Sequence, residues 1–262
     1  MTTLLSLEKK AGLSLQKKEI FGEKAQIVLV LDISTSMRSL YSTGVVQKVV
    51  ERLLAIGLNM DDNREIDVFA FGRSAHEISS ANESNIDGFV EKVLLQKVSL
   101  ENSTHYSGVM GKVVRKFGQS PVSEPALEPV KKGFFSKLFG SKEVSEPISP
   151  PPQVKPEYPT FVFFITDGDN FDQPETIRLM QQISKQPIFW QFVGISDPKQ
   201  KHKSEFSFLK SLDEMEGRYM DNANFFQLND ISSVSDEVLY DRLLNEYPHW
   251  LKEVRNKNML AN

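Results

Sequence analysis

Two apolar runs, each followed by an aspartate, constrain the fold of this chain more than any other feature. Residues 27–31 are aliphatic and lead into Asp32, and residues 161–165 are apolar and lead through Thr166 into Asp167. Unbroken apolar runs are typical of strands that are buried on both faces, as in a parallel sheet. The residues that follow such strands meet in a crevice at the carboxyl ends of the sheet. The two runs therefore predict that Asp32 and Asp167 lie close together.

Strand and helix patterns alternate after residue 25. This alternation predicts an α/β fold, with a doubly wound, mostly parallel, Rossmann-like central sheet and helices on both faces. We expect Pro248 to end or kink the last helix. The predicted strands are 26–34, 66–72, a short polar strand near 76–80, one that begins at 161, 187–196 and an edge strand at 224–228. The predicted helices are 45–58, 85–95 (capped by Asn85), 107–117, 174–185, 206–215 and 235–247.

The length and composition indicate one large domain with an insertion. The chain has 262 residues, of which 40% are apolar, and we predict one domain at 25–262 after a leader segment at 1–24. Eight of the 13 prolines fall within 120–158, which predicts a flexible Pro-rich insertion at about 119–158. Its apolar turn 133–140 would order only against a partner, a membrane surface or the parent domain; the alternative is an inert loop tip.

Composition excludes several classes of function. The formal net charge of −4 gives no basic surface for phosphates, so we expect no nucleic-acid partner. The chain has no cysteine, which excludes disulfides, thiolate metal sites and cysteine nucleophiles. No signal-peptide core or membrane span is visible in the sequence. We therefore expect a soluble, cytoplasmic protein.

Hydroxyl groups accompany the two aspartates. Ser34 and Ser36 follow Asp32 at alternate positions, and Thr104 lies in a polar loop that precedes a predicted helix. Carboxylate and hydroxyl oxygens suit a hard cation such as Mg²⁺. The Asp-x-Ser-x-Ser motif, the threonine loop and the Thr-Asp-Gly strand end, which contains Asp167, together resemble the metal-ion-dependent adhesion site (MIDAS) of von Willebrand factor A (vWA) domains.

The resemblance implies a role for each of these residues. Ser34 and Ser36 would bind the metal directly, Thr104 directly or through water, and Asp32 and Asp167 mostly through water. Neutral hydroxyl ligands leave the charge of the ion incompletely compensated, so an open position would favour an anionic ligand. The resemblance thus implies Mg²⁺, or Mn²⁺ or Ca²⁺, and a protein partner that supplies an Asp or Glu.

Within that superfamily the chain is most similar to TerF-like proteins of tellurium-resistance and stress gene clusters, which are related to the copine A domain. The similarity is carried by residues 32–41, 44–47, 68–72 and 104–106. In addition, the segments 5–9 and 13–17 of the leader resemble the opening of TerD-type domains. The resemblance implies a non-enzymatic interaction module in tellurium or chemical-stress resistance, with other Ter-type stress proteins as candidate partners.

Two other functions are compatible with the same residues. One is a metal-assisted phosphohydrolase that uses Asp32, Asp167 and Asp169, and the other is a scaffold domain that binds no metal. We interpret Asp169 and Asp172 more simply as solvated loop carboxylates. His105 could act as a general base, but hydrogen-bonded packing within its loop is the simpler role. The sequence has no GxSxG, P-loop or GxGxxG motif.

Overall fold

The computed structural model describes residues 3–119, 155–196, 206–228 and 234–261. In these segments six strands form one sheet: β1 Gln26–Asp32, β2 Asp67–Phe71, β3 Ala75–Glu77, β4 Thr160–Thr166, β5 Ile188–Ile195 and β6 Ala223–Leu228. The spatial order is β3-β2-β1-β4-β5-β6. All neighbouring pairs are parallel except β2 and the edge strand β3, which are antiparallel. The predicted mostly parallel sheet is confirmed.

Helices cover both faces of the sheet. They are α1 Leu4–Lys17, α2 Arg38–Ser42, α3 Val45–Met60, α4 Leu95–Lys97, α5 Tyr106–Phe117, α6 Gln173–Ile183, α7 Ser207–Asp213, α8 Asp236–Leu243 and α9 Tyr247–Asn256. A 3₁₀ turn at Thr35–Met37 precedes α2, and a π-helical turn at Val90–Leu94 precedes α4. Helices α1, α3, α8 and α9 contribute to the core on one face, and α5, α6 and α7 to the core on the other. The doubly wound architecture is confirmed.

The alternation of side chains along each strand separates these two cores. In β1, Leu29 and Leu31 face the α3 side, whereas Val28 and Val30 face the α5 side. Successive strand residues point to opposite faces, so a strand that is covered on both faces is apolar at every position. This arrangement explains why the first run of the sequence is unbroken.

Two predicted helix boundaries are wrong. The predicted helix 235–247 is two helices, and Pro248 lies in the first turn of α9 rather than at a helix end. Proline is tolerated there because the first backbone N–H groups of a helix have no intrahelical acceptor. Asn85 does not cap a helix; its side chain accepts a hydrogen bond from Asn82 N, and the π-helical turn begins only at Val90.

The side chain of Gln47 accounts for the late start of this turn. It donates to Ile86 O at 2.7 Å and accepts from Val90 N at 2.9 Å. A residue of α3 therefore satisfies backbone groups that an earlier helical turn would have paired.

Most of the Pro-rich insertion, including the apolar turn 133–140, lies outside the described residues. Residues 3–24 of the leader segment are described: α1 packs against α3 and α8 and buries Leu7, Ala11 and Leu15. Within the described segments, no helix is both long enough and apolar enough to span a bilayer.

Candidate metal site

The two aspartates of the predicted site lie at the carboxyl edge of the sheet. Asp32 is the last residue of β1, and Asp167 directly follows β4. Strands β1 and β4 are parallel neighbours, with Leu31 beside Ile165. Asp32 is fully buried, and Asp167 is 8% exposed. The predicted juxtaposition of the two carboxylates is thus present in the structure.

Serine hydroxyls connect the two strand ends. Ser34 Oγ and Ser36 Oγ are 2.8 Å apart, and Ser36 Oγ donates to Asp167 Oδ1 at 2.9 Å. Asp32 Oδ1 accepts from Ser34 N, and Asp32 Oδ2 accepts from Thr166 Oγ1, both at 2.6 Å. Four of the five predicted site residues therefore belong to one hydrogen-bonded network. Ser36 is exposed, so this network is open to solvent.

The fifth residue, Thr104, reaches the same edge through its backbone. Its carbonyl accepts from Phe171 N in the loop after β4, at 2.9 Å. The next residue, His105, donates its backbone N–H to Gly72 O at the end of β2, also at 2.9 Å. Thr104 is buried, with 8% exposure. The loop that carries it is therefore fixed between the ends of β2 and β4, on either side of β1.

The two carboxylates place negative charge at this edge of the sheet. Burial, together with Asp167, raises the pKa of Asp32 to about 7. Burial also raises the pKa of Asp167. Within the described segments neither carboxylate forms an ion pair with Lys, Arg or His. A cation at this point would offset the negative charge of the two carboxylates.

The donor set fits a hard divalent ion. It consists of two carboxylates and three hydroxyl groups, all of them oxygen donors. No group of three or more acidic or histidine side chains in the described part of the chain is spaced to hold a metal. Any ion at this edge would therefore depend on the hydroxyls of Ser34, Ser36 and Thr104 as much as on the carboxylates.

Asp172 is not the solvated loop carboxylate that we expected. It is 8% exposed, and its two carboxylate oxygens accept from Tyr106 N at 2.9 Å and from Ser107 N at 2.8 Å. Burial raises its pKa, but the hydrogen bonds from Ser107, Tyr106 and Asn170 outweigh burial and hold the pKa below its usual value. Asp172 therefore caps the first turn of α5, which begins two residues after Thr104.

Sequence reasoning also missed Glu101. Its backbone pairs with the site loop, since Glu101 N donates to Ile33 O at 2.8 Å and Thr35 N donates to Glu101 O at 2.9 Å. Its carboxylate accepts from Ser74 N at 2.8 Å and lies 2.7 Å from His76 Nε2. Glu101 thus ties the loop of the site to the β2–β3 turn. These partners are distant in sequence, and no local motif marks them.

Two further side chains define the surroundings. The buried Tyr41 donates to Asp32 O at 2.9 Å, which anchors α2 to the end of β1. The ring of His105 forms a 2.8 Å hydrogen bond with Ser103 Oγ, which is the packing within the loop that we predicted for it.

A doubly wound sheet with an Asp-x-Ser-x-Ser loop, a threonine loop and a second aspartate at its switch point defines a vWA-type domain. The chain belongs to the vWA-TerF-like family, described as the vWA found in the TerF C terminus, whose model matches residues 24–128 and 144–260.

The chain is similar to the uncharacterized protein YcbR of Bacillus subtilis (strain 168), with 35% identity over 99% of this chain and 91% of that protein. Among solved structures it is similar to VWA2, the ArnB paralog from Sulfolobus acidocaldarius, with 14% identity and a TM-score of 0.44 over 81% of this chain and 44% of that one. It is also similar to proximal thread matrix protein 1 from the mussel byssus, solved with a zinc-occupied MIDAS motif, with 16% identity and a TM-score of 0.42 over 84% and 48% of the two chains. The chain thus spans about half the length of these two proteins.

Proposed function

We propose that this chain is a non-enzymatic protein-interaction module that binds an acidic group of a partner through a divalent cation. The ion is Mg²⁺, or Mn²⁺ or Ca²⁺, and its ligands are Asp32, Ser34, Ser36, Thr104 and Asp167. One observation carries the proposal: two buried carboxylates at neighbouring strand ends are joined by hydrogen bonds through Ser34 and Ser36, and neither has a basic partner among the residues that the structure describes. Such a network is costly in a folded protein unless a cation uses it.

The ligand chemistry favours an acidic partner. Hydroxyl groups in the coordination shell carry no charge, and carboxylates that act through water compensate the ion only in part. An Asp or Glu side chain from another protein would complete the shell and neutralise the remaining charge. The exposure of Ser36 supports access for such a group from solvent.

Family membership supplies the proposed cellular context. Because the chain belongs to the vWA-TerF-like family, we place it in a tellurium or chemical-stress resistance system inside the cell, with other Ter-type stress proteins as candidate partners. A fold is shared by many functions, so this context is independent of the metal chemistry and needs a separate test. Survival of a deletion strain on tellurite, compared with other chemical stresses, provides that test.

Calorimetric titration tests the metal site directly. Protein freed of metal by a chelator is titrated with Mg²⁺, Mn²⁺ and Ca²⁺, as wild type and as Ser36→Ala. Loss of one hydroxyl ligand is expected to weaken binding by about tenfold or more. Ser39→Ala is the matched control, because it removes a serine hydroxyl from α2, three residues away. Equal affinity of Ser36→Ala and wild type would contradict the proposed ligand set.

Two more measurements separate this function from its alternatives. Metal-dependent turnover of a generic phosphatase substrate, lost in Asp32→Ala, would favour a phosphohydrolase. Absence of metal binding by the wild type would favour a scaffold domain. The proposal requires binding without turnover.

A further inference from the structure

We propose that Phe171 is a second anchor point, after the metal ion, on the surface of this chain that binds the partner. It selects partners with a large apolar side chain next to the acidic residue that reaches the metal. This inference rests on the proposed function, which supplies the first anchor. It adds the side-chain chemistry that distinguishes one acidic partner from another.

Phe171 is unusually exposed for its size. Its side chain is 77% exposed, more than any other large hydrophobic residue in the described segments; the next are Leu5 at 61% and Phe21 at 57%. Single exposed apolar residues are common on protein surfaces and need no explanation by exposure alone. The case for Phe171 depends on how it is held and where it lies.

The burial and hydrogen bonds of its neighbours keep Phe171 on the surface of the loop. Its two neighbours, Asn170 and Asp172, are buried, with 6% and 8% exposure. Asn170 donates to Asp172 and to Thr176, and Asp172 accepts from the first turn of α5. The Phe171 backbone N–H is itself bonded to Thr104 O. The ring is therefore presented on a fixed backbone, which lowers the entropy lost when a partner binds.

The position of Phe171 joins it to the metal site. Its backbone is hydrogen-bonded to a proposed metal ligand, Thr104, and its ring centroid is 6.2 Å from that of the neighbouring His105. Asp167, another proposed ligand, lies four residues earlier in the same loop. A partner whose carboxylate reaches the ion thus has an exposed aromatic ring beside it.

Charge complementarity identifies the occupant. The carboxylates of Asp32 and Asp167 would repel an acidic partner, so the ion must be present before an Asp or Glu can bind. The adjacent ring offers apolar area, and aromatic residues are frequent hot spots of interfaces. The surface therefore fits an exposed segment with one acidic side chain and a neighbouring Leu, Ile, Met or Phe.

The test uses short random peptides displayed on phage and selected on the chelator-treated protein with added Mg²⁺ or with EDTA. Enriched sequences are then synthesised, with the residue next to the acid either apolar or replaced by Ala, and their affinities are measured for the wild type and Phe171→Ala. Phe21→Ala is the matched control, since it also removes an exposed ring. Phe21 precedes the amino end of β1, whereas the site follows the carboxyl ends of β1 and β4.

We expect Mg²⁺-dependent enrichment of an acidic residue with an apolar neighbour. Phe171→Ala should lower the affinity for these peptides by about tenfold and erase the preference for an apolar neighbour. The Mg²⁺ affinity of Phe171→Ala and the peptide affinity of Phe21→Ala should both equal those of the wild type. Mg²⁺-dependent acidic peptides with no such preference, or with one that Phe171→Ala leaves intact, would overturn the inference and leave the proposed function standing. No Mg²⁺-dependent peptides at all would overturn both. Self-association that Mg²⁺ promotes and Phe171→Ala abolishes, measured by sedimentation, would assign the surface to a second copy of the chain instead.

Discussion

The buried carboxylate of Asp32 serves the proposed binding site and does not stabilise the core. It is fully buried, and its oxygens accept from Ser34 N and Thr166 Oγ1, but no basic side chain in the described segments compensates its charge. Burial and the neighbouring Asp167 raise its pKa to about 7. A buried group held in this way lowers stability when it is ionised, which is common at binding sites.

Asp32→Asn is therefore expected to remove metal binding and to stabilise the metal-free protein. The pKa of Asp32 is raised on folding, so its favourable contribution is complete below the unfolded value near 3.8 and is lost as pH rises through about 7. At pH 7.5 the variant should exceed the wild type by about 1–3 kcal/mol in free energy of unfolding, and the gap should close towards pH 4. Urea denaturation of both proteins in EDTA, at pH 7.5 and at pH 4, measures this difference in free energy of unfolding.

Asp61→Asn is the matched control for this prediction. Asp61 is also buried, and it accepts from Ile27 N near the other end of β1. Metal affinity of this variant should equal that of the wild type. A less stable Asp32→Asn protein at pH 7.5 would show that the carboxylate contributes to the fold and not only to the site.

At the scale of the elements, local patterns predicted most strands and helices but not the contacts that align them. Helix α3 was predictable because its apolar residues recur at helical spacing, a property of neighbours in sequence. The cap of α5 was not, because its acceptor, Asp172, is 66 residues away from Tyr106. Asp172 also stands at the start of α6, so its local context indicates a cap for the wrong helix.

Asp172→Ala should destabilise the protein by about 1–2 kcal/mol, since two N–H groups of α5 lose their acceptor. Asp172→Asn keeps one acceptor oxygen and should lose less. The pKa of Asp172 is held below 3.8 in the folded protein, so its contribution is complete above that unfolded value and is lost progressively as pH falls from 3.8 through the lower folded pKa. Urea denaturation of the wild type and both variants at pH 7 and pH 3.5 tests these statements. The loss in Asp172→Ala should be smaller at pH 3.5, and an equal loss at the two pH values would contradict the pH dependence.

Gly72 directly follows β2 and packs closely against the side chain of Glu101. A Cβ at this position would lie 2.6 Å from Glu101 Cβ and 2.8 Å from Oε2, closer than side chains pack. Gly72→Ala should displace Glu101 and, through its pairing with Ile33 and Thr35, the loop that carries the serines. We expect a loss of about 1–3 kcal/mol in stability and severalfold weaker Mg²⁺ binding by calorimetry.

Gly108→Ala is the control for this change. Its nearest neighbour outside α5 would be Ala75 Cβ at 3.8 Å, an ordinary contact, so the substitution should preserve metal affinity and slightly favour the helix. If Gly72→Ala binds Mg²⁺ as the wild type does, Glu101 does not hold the site loop in place.

At the scale of the whole molecule, the site lies where the direction of winding changes. From β1 the chain moves to β2 and β3 on one side, and then crosses to β4 on the other. The crevice at such a switch point is the usual ligand site of an open α/β sheet. The sequence could predict this convergence because the site residues follow apolar strands directly. It could not predict the split between α8 and α9, because helix periodicity continues across both segments.

Binding of a cation at this crevice is expected to stabilise the whole fold, because the ion binds the native site and not the unfolded chain. At a free Mg²⁺ concentration of about 100 times the Kd the gain is about 2.7 kcal/mol, or roughly 5–10 °C in Tm for a chain of this size. The shift should shrink at pH 5.5, where protons compete with the ion for Asp32. Calorimetric melting in Mg²⁺, against NaCl of matched ionic strength, measures the shift. With its affinity about tenfold lower, the Ser36→Ala variant should gain only about 1.4 kcal/mol at the same Mg²⁺ concentration, about half the wild-type gain. An undiminished shift in that variant would place the ion elsewhere on the protein.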